Sequence, residues 1–240
     1  MGIFVSKASQ GAVLAQRRIF LGGTFNPIHI GHARLLLETQ YKLMADSATI
    51  IPTASPPQKQ NSVQAFEHRF AMAKLVAGEL NKTSCTKALF TASDCELGLD
   101  GPSYTLKTLK VLREKYPNDS LNWIIGMDNL VNLSSWYQWE ELAEWANLVV
   151  FNRPGYECPT QGGVFEWMQS RRRLCEQPRE SADDCPLDNI ERNGCIIFLQ
   201  SAPLMVSSTS LRHQIKNGLN PQYLLPESVF SYIQEHGLYC

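Results

Sequence analysis

The sequence predicts an α/β protein built on a parallel sheet, and three observations carry that expectation. Short β-rich runs alternate with amphipathic stretches along most of the chain, the βαβ rhythm of parallel strands joined by helices. The unusual motifs fall directly after strands, where sheets of this kind bind ligands. The length of 240 residues suits one well-buried core with appendages better than two independent domains.

In chain order, the first strand is read in RRIFLGG (17–23), followed by a helical pattern from about Gly31 to Asp46. SATIIPT (47–53) gives the second strand and FEHRFAMAKLVAGEL (66–80) the next helix. KALFTASD, the helix TLKTLKVLREKY, the strand LNWIIGMD, a helix over WYQWEELAEWA (136–146) and the strand NLVVFNRPG continue the alternation. CIIFLQSA then leads into SSTSLRHQIKNG and a closing helix near ESVFSYIQEHG. Two segments interrupt the pattern. ASPPQKQNSVQ (54–64) has the paired prolines and polar residues of a loop beside a site. Residues 157–195 form a charged, cysteine-bearing insertion with one helix expected near VFEWMQSRRRL, which places Arg171 to Arg173 on a solvated helix face. No internal repeat is visible.

Composition narrows the function. With 22 basic and 23 acidic side chains the net charge is −1, so no broad positive field attracts nucleic acid and any anion site must be local. No apolar run approaches the roughly 20 residues needed to span a bilayer. Seven cysteines, an odd number without a C-x-x-C pair, are expected as reduced thiols in the cytoplasm. Four of them lie in the insertion at spacings that match no common zinc pattern. Gly2 and Ser6 fit a loose acylation pattern, but so short a match occurs by chance, and residues 1–17 are read as a disordered leader ahead of a domain spanning 18–240.

The stretch GGTFNPIHIGH (22–32) carries the most chemistry. Gly22 and Gly23 let the backbone turn sharply after an apolar strand and leave room for a ligand. A helix then starts near His29 or Gly31, and its first N–H groups lack internal partners, which makes a natural anion site. His29 and His32, three apart, place both rings on one side of that turn, so two imidazole donors face whatever binds there. A single surface histidine would need no such setting. There is no P-loop, G-x-G-x-x-G, H-E-x-x-H or G-x-S-x-G, which excludes the commonest alternatives. In SSTSLR (207–212), Ser208 or Thr209 can cap a helix whose free N–H groups hold phosphate oxygens, and Arg212 can bind them through its planar fork.

GGTFNPIHIGH resembles the H-x-G-H signature of the nucleotidyltransferase superfamily, and SSTSLR has the form of its second motif. That resemblance implies a Rossmann-like doubly wound sheet with a small C-terminal helical part (207–240). The match extends over most of 18–238 to the bacterial nicotinate-nucleotide adenylyltransferases: IPTASPPQK, GPSYTLKTL, WIIGMDNL, SWYQWEEL, NRPGY and LLPESVFSYIQEHGLY stand in that family's order. The resemblance implies adenylyl transfer from ATP to nicotinate mononucleotide, giving deamido-NAD and pyrophosphate, with Mg²⁺ held mainly by ATP phosphates. It places Gly22, Gly23, Thr24, Phe25, His29 and His32 on ATP, Ser208, Thr209 and Arg212 on its phosphates, and Gly126 and Asp128 near the adenosine and its ribose hydroxyls. Trp136 would carry the nicotinate ring, with Thr105 and the backbone around Tyr137 on its carboxylate. Lys59 would bear more of any phosphate contact, because Gln58 stands where the family often has histidine. Asn26 likewise replaces an acidic residue seen in many relatives.

In this reading the substrate's own phosphate oxygen is the nucleophile, so no protein nucleophile is needed, and His29, His32 and Arg212 are the catalytic groups. An acceptor such as nicotinamide mononucleotide or pantetheine phosphate would keep both phosphate motifs without needing a carboxylate site. A non-enzymatic nucleotide-binding protein is the further alternative. Neither a membrane nor a nucleic acid is expected as a partner, and a homo-oligomer is compatible with the sequence.

Overall fold

The structure, a computed structural model, describes residues 15–56, 63–83, 87–175, 190–201 and 204–240. Seven strands, β1 (Arg17–Gly23), β2 (Ser47–Pro52), β3 (Leu89–Ala92), β4 (Ser120–Gly126), β5 (Asn147–Phe151), β6 (Arg172–Cys175) and β7 (Cys195–Leu199), form one sheet in the order β3-β2-β1-β4-β5-β7-β6. Every pairing is parallel. The chain winds outward from β1 to β3, then returns to start again at β4 beside β1. The carboxyl ends of β1 and β4 therefore diverge at a switch point, the crevice where doubly wound sheets bind ligands.

Strand alternation builds two apolar layers. Ile19 and Leu21 of β1, Ile124 of β4 and Val149 and Phe151 of β5 point to one face, where they meet α1 (Ile30–Leu43), α2 (Phe66–Thr83), α7 (Ser208–Lys216) and α8 (Glu227–Glu235). Phe20, Trp123, Ile125, Leu148 and Val150 point to the other, against α3 (Thr105–Lys115), α4 (Met127–Val131), α5 (Leu142–Trp145) and α6 (Gly163–Gln169). The C-terminal helices α7 and α8 share the first cluster with α1 and α2 through Leu211, Val229 and Ile233. Among the described residues no helix is long and apolar enough to cross a membrane.

Four expectations need correction. The single helix over 136–146 is two pieces, a 3₁₀ turn at Trp139–Glu141 and one α turn at α5, because Trp136 is extended and Gln138 adopts a left-handed φ of 46°. The aromatic periodicity is real but comes from tight turns, with Trp139 set edge-on to Trp167 at 5.5 Å. Arg172 and Arg173 lie not on a helix face but in β6, the sheet's edge strand beside β7, where the β-branched and aromatic residues of CIIFL supply the partner. Arg17, which the leader (1–17) and the strand RRIFLGG both claim, belongs to the strand: it opens β1 and donates its N–H to Asp46. Helix α4, directly after β4, was not anticipated, since five residues carry no readable period.

Candidate active site

Two adjoining clefts open along the switch point. The first, about 560 Å³, runs over Gly22, Gly23, Thr24, Phe25 and His32 to Thr105, Trp136 and Tyr137, with Ser208, Thr209 and Arg212 on its far wall. The second, about 430 Å³, takes in His29, Gly126, Asp128 and Arg153. Gly22, Gly23, His32 and Ser208 belong to both, so they mark the boundary between the clefts. Residues from the two sequence motifs thus meet in space. Lys59 lies outside the described residues.

The glycines make the close approach possible. A Cβ on Gly22 would stand 2.3 Å from Cζ2 of Trp123, and one on Gly31 would stand 3.0 Å from Cε1 and Nδ1 of His29. Phe25 takes a left-handed φ of 48°, an uncommon backbone for a bulky side chain, and sets its ring edge-on to His32 at 5.0 Å.

His29 ends the turn as the N-cap of α1, and its ring stacks on that of His32 with centroids 3.8 Å apart. The His29 backbone N–H donates to Nδ1 of His32 at 3.2 Å. Nδ1 of His32 is therefore an acceptor, which puts the ring proton on Nε2 and leaves that N–H to be offered to a ligand. Burial and, second, the Arg153 guanidinium lower the His29 pKa to about 4. Burial, His29 and Arg153 hold His32 well below the ordinary histidine range. At neutral pH the pair are uncharged donors, and the positive charge at the site comes from Arg212 and Arg153. Nδ1 of His29 is buried without a partner.

At the other wall the cap of α7 is Ser207, not Ser208 or Thr209: its side chain accepts from the Ser210 N–H at 3.2 Å. Ser208 instead donates to the Pro27 carbonyl at 2.8 Å, and Thr209 accepts from Arg212. Nη1 of Arg212 donates to the Asn26 carbonyl at 2.8 Å, which ties the second motif to the first.

On the opposite wall of the first cleft, Thr105 is the first residue of α3, so its hydroxyl stands beside the helix's first N–H groups. Tyr137 stacks on Tyr104 with centroids 4.7 Å apart, and the half-buried Trp136 packs against the second core cluster while lining the cleft. Asp128 is ion-paired with Arg153 at 2.8 Å, and its Oδ1 is buried without a partner.

Three residues in or behind these clefts escaped the sequence reading. Arg153 stood in NRPG, immediately after a strand, the signal that could have found it. Arg69 sits on the buried face of α2 three residues before Met72, a charge at an apolar helical position. Glu96, buried on the first cleft's wall, accepts from the Thr108 hydroxyl at 2.7 Å and the Ala54 N–H at 3.1 Å.

A doubly wound parallel sheet with a stacked histidine pair and an arginine-bearing helix start at one switch point defines a nucleotide-binding α/β protein. The cytidylyltransferase-like family model matches residues 20–214. The chain is 36% identical over 220 residues to a probable nicotinate-nucleotide adenylyltransferase of Shewanella sediminis, covering 91% of this chain and 96% of the relative. It is 37% identical to that of Aeromonas salmonicida, over 91% and 95% of the two chains. The chain belongs to the nicotinate-nucleotide adenylyltransferase family within the cytidylyltransferase-like proteins. Its fold matches a Plasmodium falciparum nicotinic acid mononucleotide adenylyltransferase complexed with NaAD, with a TM-score of 0.68 at 15% identity, over 93% of this chain and 97% of the other.

Proposed function

We propose that the protein transfers the adenylyl group of ATP to nicotinate mononucleotide, giving deamido-NAD and pyrophosphate. The observation that carries this reading is the pair of clefts sharing His32 and Ser208 at their boundary: two nucleotides laid in them would meet at the phosphates. In the proposed arrangement the second cleft takes the adenosine, with Asp128 accepting from ribose hydroxyls beside the Cβ-free Gly126. The first takes the acceptor, its pyridinium on the face of Trp136. The nicotinate carboxylate is assigned to Thr105 and the α3 N-terminus, where free N–H groups and the helix dipole favour an anion, with Tyr137 closing the side.

An acceptor phosphate oxygen attacks the α-phosphorus of ATP in line as the bond to pyrophosphate breaks; with a dianionic acceptor no proton has to move. Nε2–H of His32 and the His29 ring donate to the phosphates as neutral groups. Arg212, Ser208 and Thr209 bind them from the α7 side, and the Gly22–Phe25 turn lets the backbone approach. Catalysis is then positioning and charge stabilisation. Mg²⁺ bound through the ATP phosphates would supply further charge neutralisation where Arg212, Ser208 and Thr209 face the same oxygens. With water-soluble substrates throughout, the reaction is assigned to the cytoplasm.

The test is pyrophosphate release with Mg-ATP and, in parallel, nicotinate or nicotinamide mononucleotide. The carboxylate site predicts kcat/KM about 100-fold higher for the nicotinate form, a discrimination that hydrogen-bonding sites reach readily. Equal use of both acceptors would keep the transferase and sink the Thr105–Tyr137 assignment.

A further inference from the structure

One buried polar network outside the reacting centre joins three walls of the first cleft. Arg69, 2% exposed, donates Nη1 to the carbonyls of Thr24 (2.9 Å) and Thr53 (2.8 Å), which follow β1 and β2, and Nε to the carbonyl of Gln64 (2.9 Å), just before α2. Asn26, 4% exposed, accepts on Oδ1 from the Gln64 N–H (3.1 Å) and from the Tyr239 hydroxyl (3.0 Å), while its own carbonyl accepts from Arg212. Gln64 is thus held at both its N–H and its C=O. The two donors on Oδ1 leave the Asn26 amide one orientation, since its NH₂ end could accept from neither.

Thr24, Asn26, Thr53 and Arg212 line the first cleft and not the second. Tyr239 lines neither: it is buried in the first core cluster and reaches Asn26 through its hydroxyl. Burial pushes its phenol pKa upward, so it remains a protonated donor throughout the working pH range.

We propose that Tyr239 is a positioning residue for the acceptor cleft: its hydroxyl fixes the Asn26 side chain, and Asn26 holds the Gln64 N–H while Arg69 holds the Gln64 carbonyl against those of Thr24 and Thr53. The inference rests on the first cleft holding the acceptor, as argued above. Because Asn26 and Thr53 line that cleft and not the other, loosening this hold on them should weaken acceptor binding and leave ATP binding in place. A residue that merely supported the fold would lower the active fraction instead, moving kcat and neither KM.

Tyr239→Phe keeps the ring and deletes only the donor. The loss of one buried neutral hydrogen bond is expected to raise the KM for nicotinate mononucleotide about fivefold to tenfold, with kcat and the KM for ATP within about twofold. In an Asn26→Ala background the same substitution should do nothing more, because the partner is already gone. Independently of any substrate, amide exchange at Gln64 should accelerate by a similar factor of about five to ten in Tyr239→Phe. An unchanged acceptor KM with unchanged Gln64 exchange overturns the proposal, as does an equal rise in both KM values. An inactive wild-type protein would sink the substrate reading alone, and Gln64 exchange would still decide the positioning claim. Should Tyr239→Phe fail to fold, Asn26→Ala breaks the same link from the other side and is read by the same KM split.

Discussion

The rings of His29 and His32 stack 3.8 Å apart at 27° to one another, and the His29 backbone N–H fills the only basic nitrogen that His32 could have used to take a proton inward. A doubly protonated His32 would set two N–H groups against each other. The pair is therefore built to stay neutral, and the site's charge is carried by arginine.

That neutrality has a stability consequence. His29 has a pKa of about 4 in the fold against 6.5 for the ordinary group, so the unfolded chain takes up the proton first as pH falls. Its contribution is complete above pH 6.5 and is lost progressively towards pH 4, up to about 3 kcal/mol for this 6%-exposed side chain. The difference in Tm between wild type and His29→Gln, followed over that window, should shrink or reverse as the pH drops. A difference independent of pH would show that His29 titrates normally.

Removing the ring on the boundary should strike the chemical step. His32→Ala is expected to lower kcat by about 100-fold, roughly 3 kcal/mol for one preorganised donor, with the far-ultraviolet spectrum unchanged. A folded variant with normal turnover would take the histidines out of the mechanism.

Gly22→Ala tests the fit under the site. Its Cβ would meet two Trp123 ring atoms at 2.3 and 2.6 Å, and neither the strand nor a buried indole can yield cheaply. Overpacking of this kind costs about 1–3 kcal/mol, so we expect a lower Tm together with weakened ATP binding by calorimetry. Pairing it with Trp123→Phe should recover part of the Tm.

Arg153→Met leaves Asp128 without its ion-pair partner and withdraws the guanidinium that lies second to burial in depressing His29. The His29 pKa, followed by NMR of the ring protons, should rise but stay below the ordinary value, because burial remains. We also expect the KM for ATP to rise about tenfold, the size of one charge-assisted hydrogen bond lost from a partly exposed site. A His29 pKa that does not move would place Arg153 electrically remote from the pair.

Much of this site was legible before any coordinates. The double glycine, the two histidines at helical spacing and SSTSLR each stand out through residue type and position, and the fold brings them to one seam. The exact cap was not legible: in SSTS four hydroxyls stand in a row, and only the turn's geometry gives the role to Ser207 and sends Ser208 to Pro27. The tryptophan-rich segment misled because Trp136, Trp139, Leu142 and Trp145 fit a helical period, while a left-handed Gln138, which no propensity favours, breaks it. Arg69 and Tyr239 were hidden for a different reason. Their partners are backbone carbonyls and an asparagine far away in sequence, and such pairings leave no local pattern.

The seam between β1 and β4 also orders events during synthesis. Gln16 and Asp119, which join the two strands at their base, are 103 residues apart in the chain. A nascent chain can pair β1 with β2 early, yet both clefts stay incomplete until β4 and then α7 have been made. The histidine turn therefore lacks its ties to Ser208 and Arg212 until α7 has been made, near the end of synthesis.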